Sequence, residues 1–251
     1  MVKREFKAYS MPEREAKARI KLAEATVDEN YIIETQMFDY KKDPLFKNLR
    51  TRGEFLTTHN LKELRPYQVR AVQALQEAAS QNKMRYLFEM ATGTGKTLVS
   101  AAVIKLFLKT GNAQRVLFLV DRLELEAQAF KAFVQYLGRD YTGMIYKENV
   151  DSWQSAQIVI STIQTFLSGD RYRREFSPTD FQLVISDEAH RSIGGNSLAV
   201  FEYFTGYKLG LTATPEDVDT YKTFGCESGS PTYRYDLLAG VKDGYITKQG
   251  G

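Results

Sequence analysis

The stretch Met90-Ala91-Thr92-Gly93-Thr94-Gly95-Lys96-Thr97 combines two glycines, a lysine and a hydroxyl in a spacing suited to gripping phosphate. Glycines let neighbouring backbone N–H groups turn toward one anion, and a helix N-terminus behind them adds partial positive charge. On this reading Thr92, Gly93, Thr94 and Gly95 cradle the phosphates of a nucleotide. Lys96 neutralises the β- and γ-phosphates, and the Thr97 hydroxyl holds Mg²⁺. Met90 stands where the strict pattern has glycine, which leaves the looser form of the motif.

A second group of reactive residues, Asp187-Glu188-Ala189-His190, follows the apolar run Leu183-Val184-Ile185. Two carboxylates at the end of a buried strand suit a metal and a water: Asp187 is expected to ligate Mg²⁺ through water, and Glu188 to orient or deprotonate the attacking water. His190 is expected to report nucleotide state to a third segment, Leu211-Thr212-Ala213-Thr214-Pro215, where Thr212 and Thr214 serve as coupling hydroxyls. Alone, the acidic stretch reads as an exposed helix start, and the third segment as a hydroxyl turn before proline. Behind a phosphate loop, they read as parts of a nucleotide hydrolase.

These groups need a rigid frame. Five apolar runs, Tyr86 to Glu89, Val116 to Val120, Gln157 to Ile160, Gln182 to Ile185 and Lys208 to Leu211, are continuous rather than alternating, as strands buried on both faces of a parallel sheet should be. Helical stretches lie between them, at Thr97 to Lys109 and Leu123 to Leu137, and another begins at Pro66. The class is therefore α/β, a mostly parallel sheet with helices on both faces, preceded by a small and mainly helical N-terminal segment. In that segment Met11 to Ala25 favours a solvated or partner-facing helix, Tyr31 to Phe38 a short strand, and the basic stretch up to His59 a loop.

Composition sets limits. With 251 residues, 43% of them hydrophobic, the chain can bury a full core, while a net charge of +3 permits nucleic-acid binding without arguing for it. The single cysteine, Cys226, excludes an internal disulfide and a cysteine-based zinc cage. No apolar run reaches the ~18 residues of a membrane span, and the N-terminus lacks a signal-peptide stretch, so a cytoplasmic protein with no membrane partner is expected.

Residues 64–215 resemble the first RecA-like domain of superfamily 2 helicases and DNA translocases. Within that superfamily, the segments 90–97, 116–122, 187–192 and 210–215 are similar to the motor (R) subunit of type I restriction endonucleases, as are 221–225, 231–235 and 241–245. The resemblance implies a RecA-like P-loop NTPase using ATP and Mg²⁺. It also implies that Gln68 reads the adenine edge, that Arg65 packs around the base, and that Arg122, Ser161, Thr162 and Gln164 touch the DNA backbone without reading its sequence. Implied partners are DNA and the modification and specificity subunits of a restriction complex, in a bacterial or archaeal cytoplasm.

The implied organisation is an N-terminal segment or linker (1–60), a helicase ATP-binding domain (61–220), and the start of a connection (221–251) to a second RecA-like domain absent from this sequence. That second domain would supply an arginine finger, a group worth ~10³ or more in rate. After Pro215 the only arginine is Arg234, in a different context, so the chain by itself is expected to be a weak or inactive ATP hydrolase, incomplete for translocation. Nor does it carry the nuclease of such subunits: Glu15-Ala16-Lys17 matches part of that motif, but no aspartate precedes it and its setting is helical. Alternatives are the motor half of a type III restriction subunit or repair helicase, or a non-hydrolysing nucleotide-binding docking module.

Overall fold

Strands without a polar face need cover on both sides, and the sheet built by this sequence is covered on both. The computed structural model describes residues 2–189, 196–213, 218–226 and 229–246. Among these, β1 (Arg85–Met90), β2 (Val116–Val120), β3 (Gly143–Ile145), β4 (Ile158–Thr162), β5 (Leu183–Ser186), β6 (Tyr207–Thr212) and β7 (Tyr233–Tyr235) form one sheet in the order β3-β4-β2-β5-β6-β1-β7. All of its pairings are parallel. This is the α/β architecture expected from the continuous apolar runs.

Register stacks like with like across the sheet. Leu117 lies opposite Val159 and Val184, and the next residue, Phe118, opposite Ile160 and Ile185. The Phe118 layer packs under the helices Pro66–Ser80, Lys96–Thr110 and Leu123–Leu137, through residues such as Val72, Val103 and Phe133. The Leu117 layer packs against Phe166, Phe181, Phe201 and Phe204 on the opposite face. Each such buried side chain contributes about 1.5–3 kcal/mol.

Because every strand runs the same way, the loops leaving β1, β2, β4, β5 and β6 emerge at one edge. Ligands bind at this carboxyl edge in sheets of this kind. β1 is flanked on one side by β6 and on the other by β7.

The N-terminal region departs from the sequence reading. Residues 31–38 are not a strand: Ile33–Gln36 is a short helix, held by local bonds such as Thr35 N–H to Ile32 O at 3.0 Å. Its apolar residues serve two clusters instead of a sheet, since Tyr31 and Ile32 join the main core while Ile33 packs with Tyr40, Phe46, Phe55 and Leu61. That second cluster also organises the supposed basic loop into the turns Tyr40–Lys42 and Pro44–Lys47 and the helix Arg52–Thr58. The first helix spans Val2–Glu24, and its end is a core element rather than a solvated one: Leu22 is buried, and Gln76 Nε2 donates to the carbonyls of Leu22 and Ala25, at 2.8 Å each.

Candidate nucleotide-binding site

The phosphate loop forms because β1 ends at Met90 and the next helix starts at Lys96, leaving five residues to reverse the chain. Gly93 (φ +82°) and Gly95 (φ +79°) take left-handed conformations that strain any side chain. Thr92, Gly93 and Gly95 are exposed, and Lys96 and Thr97 partly so. Thr94 turns inward. It is buried, its hydroxyl donates to Ala91 O at 2.6 Å, and its carbonyl accepts from the Tyr67 hydroxyl and from Gln68 Nε2, each at 2.8 Å.

Gln68 is therefore a buttress of the loop. Its Oε1 accepts the Arg65 N–H at 2.8 Å, so both ends of the carboxamide already bond within the chain, leaving one N–H and one lone pair for a base. Arg65 is exposed, lies over the Tyr245 ring at 4.7 Å and reaches the Tyr67 hydroxyl at 3.3 Å. Tyr67 in turn stacks on Tyr235 of β7, with centroids 3.9 Å apart. That edge strand also bonds directly to the loop's first residue, Ala91 N–H to Tyr235 O at 3.1 Å.

The acidic pair meets the loop across the sheet. Lys96 Nζ lies 3.1 Å from Glu188 Oε1, with the lysine side chain 11% and the glutamate 27% exposed. Asp187 continues β5, its N–H donating to Leu119 O at 2.9 Å, and its Oδ1 accepts the Glu188 N–H at 3.1 Å. Glu188 itself adopts φ +50°, a left-handed conformation uncommon for a residue with a side chain. Burial pushes the Asp187 carboxyl above its ordinary value; the Lys96 charge pulls it down and the Glu188 carboxylate adds to the rise. The Asp187 carboxylate, the Lys96 ammonium and the partly exposed Thr97 hydroxyl form a donor set that fits a nucleotide with Mg²⁺.

Thr212 is buried at the end of β6, in register with Glu89 of β1. His190 and Thr214 lie outside the described residues. Of the residues implied to touch DNA, Arg122 is exposed with its Nε 3.5 Å from Asp121 Oδ2, and Gln164 is exposed. Ser161 and Thr162 are buried. Thr162 accepts the Thr165 N–H at 3.2 Å, yet it still lines a 580 Å³ cavity together with Arg122 and Gln164.

Motif reading passed over Glu89, two residues before Ala91. It is buried, and it bonds the Arg234 guanidinium and the Tyr221 hydroxyl. These partners lie 145 and 132 residues away in sequence, beyond any local signal.

A parallel sheet with a glycine loop, a lysine and an acidic pair at its carboxyl edge defines a RecA-like helicase-type NTPase domain. Residues 61–217 match the family described as "Type III restriction enzyme, res subunit". The chain belongs to that family. It is similar to two Escherichia coli proteins, the EcoAI type I restriction endonuclease subunit (32% identical, over 74% of this chain and 23% of that protein) and the EcoKI subunit (30%, over 74% and 18%). It thus spans about a fifth of their length. A fragment structure described as the HsdR subunit of a type I restriction enzyme from Vibrio vulnificus YJ016 superposes with a TM-score of 0.54 at 29% identity, over 72% of this chain and 32% of that one.

Proposed function

We propose that this chain is the ATP-binding half of a DNA-translocating motor of the type I restriction R-subunit kind. The observation that carries the reading is the 3.1 Å contact between Lys96 and Glu188, which brings the phosphate loop and the acidic pair to one point although their strands are separated by β6.

The roles follow from position. Gly93, Gly95 and the backbone around them receive phosphate oxygens, with the start of the helix Lys96–Thr110 behind them. Lys96 exchanges Glu188 for the β- and γ-phosphates, a trade of one anion for another at the same ammonium. Thr97 and Asp187 would hold Mg²⁺, whose charge would offset that of the phosphates. Glu188, released from Lys96, orients and deprotonates the attacking water. DNA lies along Arg122, Thr162 and Gln164, and the surrounding complex supplies modification and specificity subunits in a bacterial or archaeal cytoplasm. Among the described residues no helix is long and apolar enough to cross a membrane.

The motif-bearing unit is taken as residues 61–220, with the N-terminal segment 1–60 contributing Leu22, Tyr31 and Ile32 to its core and the connection 221–251 contributing β7 to its sheet. Arg234, engaged by Glu89 beneath the loop, is not aimed at phosphate, so ATP is bound far better than it is turned over by these 251 residues. Titration with a fluorescent ATP analogue tests the site. Lys96→Ala should weaken binding roughly 10- to 150-fold, the equivalent of losing one charge-assisted contact. An unchanged affinity rejects the assignment, and brisk DNA-stimulated hydrolysis by the 251-residue chain rejects the half-motor reading.

A further inference from the structure

Glu126 is only 1% exposed, and a carboxylate taken out of water is costly unless its charge is matched. It sits in the first turns of the helix Leu123–Leu137, on the side facing β4 rather than solvent. An apolar residue there would serve packing alone. Instead Glu126 Oε1 accepts the Thr162 N–H at 2.7 Å, and Oε2 lies 3.3 Å from Lys147 Nζ. One buried group thereby fixes both the end of β4 and a lysine from the turn Tyr146–Glu148 that follows the edge strand β3.

Both of its partners line the 580 Å³ cavity that also holds Arg122, Gln164, Thr165 and Arg171. Three cations thus converge on this groove, and each has a carboxylate of its own. Arg122 has Asp121 at 3.5 Å, Arg171 has Glu175 at 3.3 Å, and Lys147 has Glu126. Asp121 and Glu124 line the groove as well, so its lining alone is only slightly positive, and Glu126 and Glu175 behind it offset that excess. The Lys147 pair differs from the others: its carboxylate is buried and anchored to a backbone N–H, whereas the lysine side chain is 39% exposed.

We propose that Lys147 is a further contact to the phosphodiester backbone in this groove, and that Glu126 is the positioning residue that holds it there and ties it to Thr162. The proposal rests on the reading of this edge as a DNA track. Glu126 also attenuates the contact, because a phosphate meeting Lys147 meets a cation already half compensated.

The test is fluorescence anisotropy of a labelled DNA duplex with the 251-residue chain, from 50 to 200 mM salt. Lys147→Gln should lower the salt slope by about one, so that its affinity loss is roughly 3.5-fold greater at 50 mM than at 200 mM. Glu126→Gln should act in the opposite sense. Its amide oxygen still accepts the Thr162 N–H, but Lys147 loses its counter-charge, so binding tightens and the slope steepens. The double variant should match Lys147→Gln. A purely structural Glu126 would give unchanged or weaker binding on Glu126→Gln, which would overturn its positioning role. If Lys147→Gln leaves affinity and slope unchanged while Arg122→Ala weakens binding, the Lys147 contact is wrong and the DNA track stands. If the unaltered chain shows no salt-dependent binding, or Arg122→Ala has no effect either, the DNA track fails and the inference falls with it. Circular dichroism on each variant identifies any that fail to fold, in which case the Lys147→Gln slope decides.

Discussion

Gln68 Nε2 donates to the Thr94 carbonyl at 2.8 Å, fastening the helix Pro66–Ser80 to the middle of the phosphate loop. The approach is close enough that a Cβ on Gly95 would stand 2.6 Å from the same nitrogen. Gln68→Glu keeps the acceptor for Arg65 N–H and removes this donor. Nucleotide affinity should fall about three- to tenfold, the equivalent of one hydrogen bond, with the fold retained. Isothermal titration against ATP·Mg²⁺ measures it, and equal affinity for variant and parent would show that the loop holds its shape without the glutamine.

Glu188→Gln separates grip from chemistry. The amide can neither pair electrostatically with Lys96 nor take a proton from water, so bound ATP should persist while residual hydrolysis drops by roughly 10²–10⁴. Single-turnover assays with radiolabelled ATP would detect this. If this chain is a non-hydrolysing docking module, the substitution leaves turnover where it was.

Asp187 gives a pH signature. Its folded-state pKa is raised, chiefly by burial, so its ionised form is penalised in the fold. The penalty is fully present above the folded-state pKa and vanishes as pH falls below the unfolded-state value. Asp187→Asn should therefore raise the melting temperature at neutral pH in the absence of nucleotide, and the gain should shrink on acidification. A gain that stays constant with pH would assign the effect to something other than ionisation.

Arg234→Ala leaves the Glu89 carboxylate, 8% exposed, with the Tyr221 hydroxyl but without its cation. A stability loss of about 1–3 kcal/mol is expected. That corresponds to about 2–4 °C in melting temperature per kcal/mol for a domain of this size. Nucleotide affinity should fall as well, because β7 carries the Tyr235 carbonyl that receives Ala91 N–H. Loss of stability with no change in affinity would show the edge strand to be mere cover.

The inner strands were readable because burial on both faces writes a continuous apolar run through β2 and through the first three residues of β4 and β5, with hydroxyls only at their carboxyl ends. The edge strands β3 and β7 have three residues each, too few for any period, and one of them contains Arg234. The run at 31–38 is misleading for a related reason: its β-branched and aromatic residues fill two separate clusters, a demand that resembles a strand in composition but not in hydrogen bonding. In the site, the phosphate loop and the acidic pair are local motifs and were visible. Glu89 and Glu126 acquire their meaning from Arg234, Lys147 and Thr162, contacts that exist only once the sheet has assembled. Gln68 was found by its motif, but its bond to Thr94 belongs to tertiary structure.

The placement of β1 between β6 and β7 carries a consequence for the order of folding. Tyr86 waits for Leu209, and Phe88 for Tyr233, so both flanks of the strand that launches the phosphate loop arrive more than a hundred residues after it. Strands β2, β3 and β4 find one another over shorter distances and meet the lower entropic barrier first. A chain still emerging from the ribosome therefore has Lys96 synthesised early and its glycine loop framed late. On the proposed function, capture of ATP would wait until residue 235 has joined the sheet, and nucleotide binding would report that β1 has gained both its neighbours.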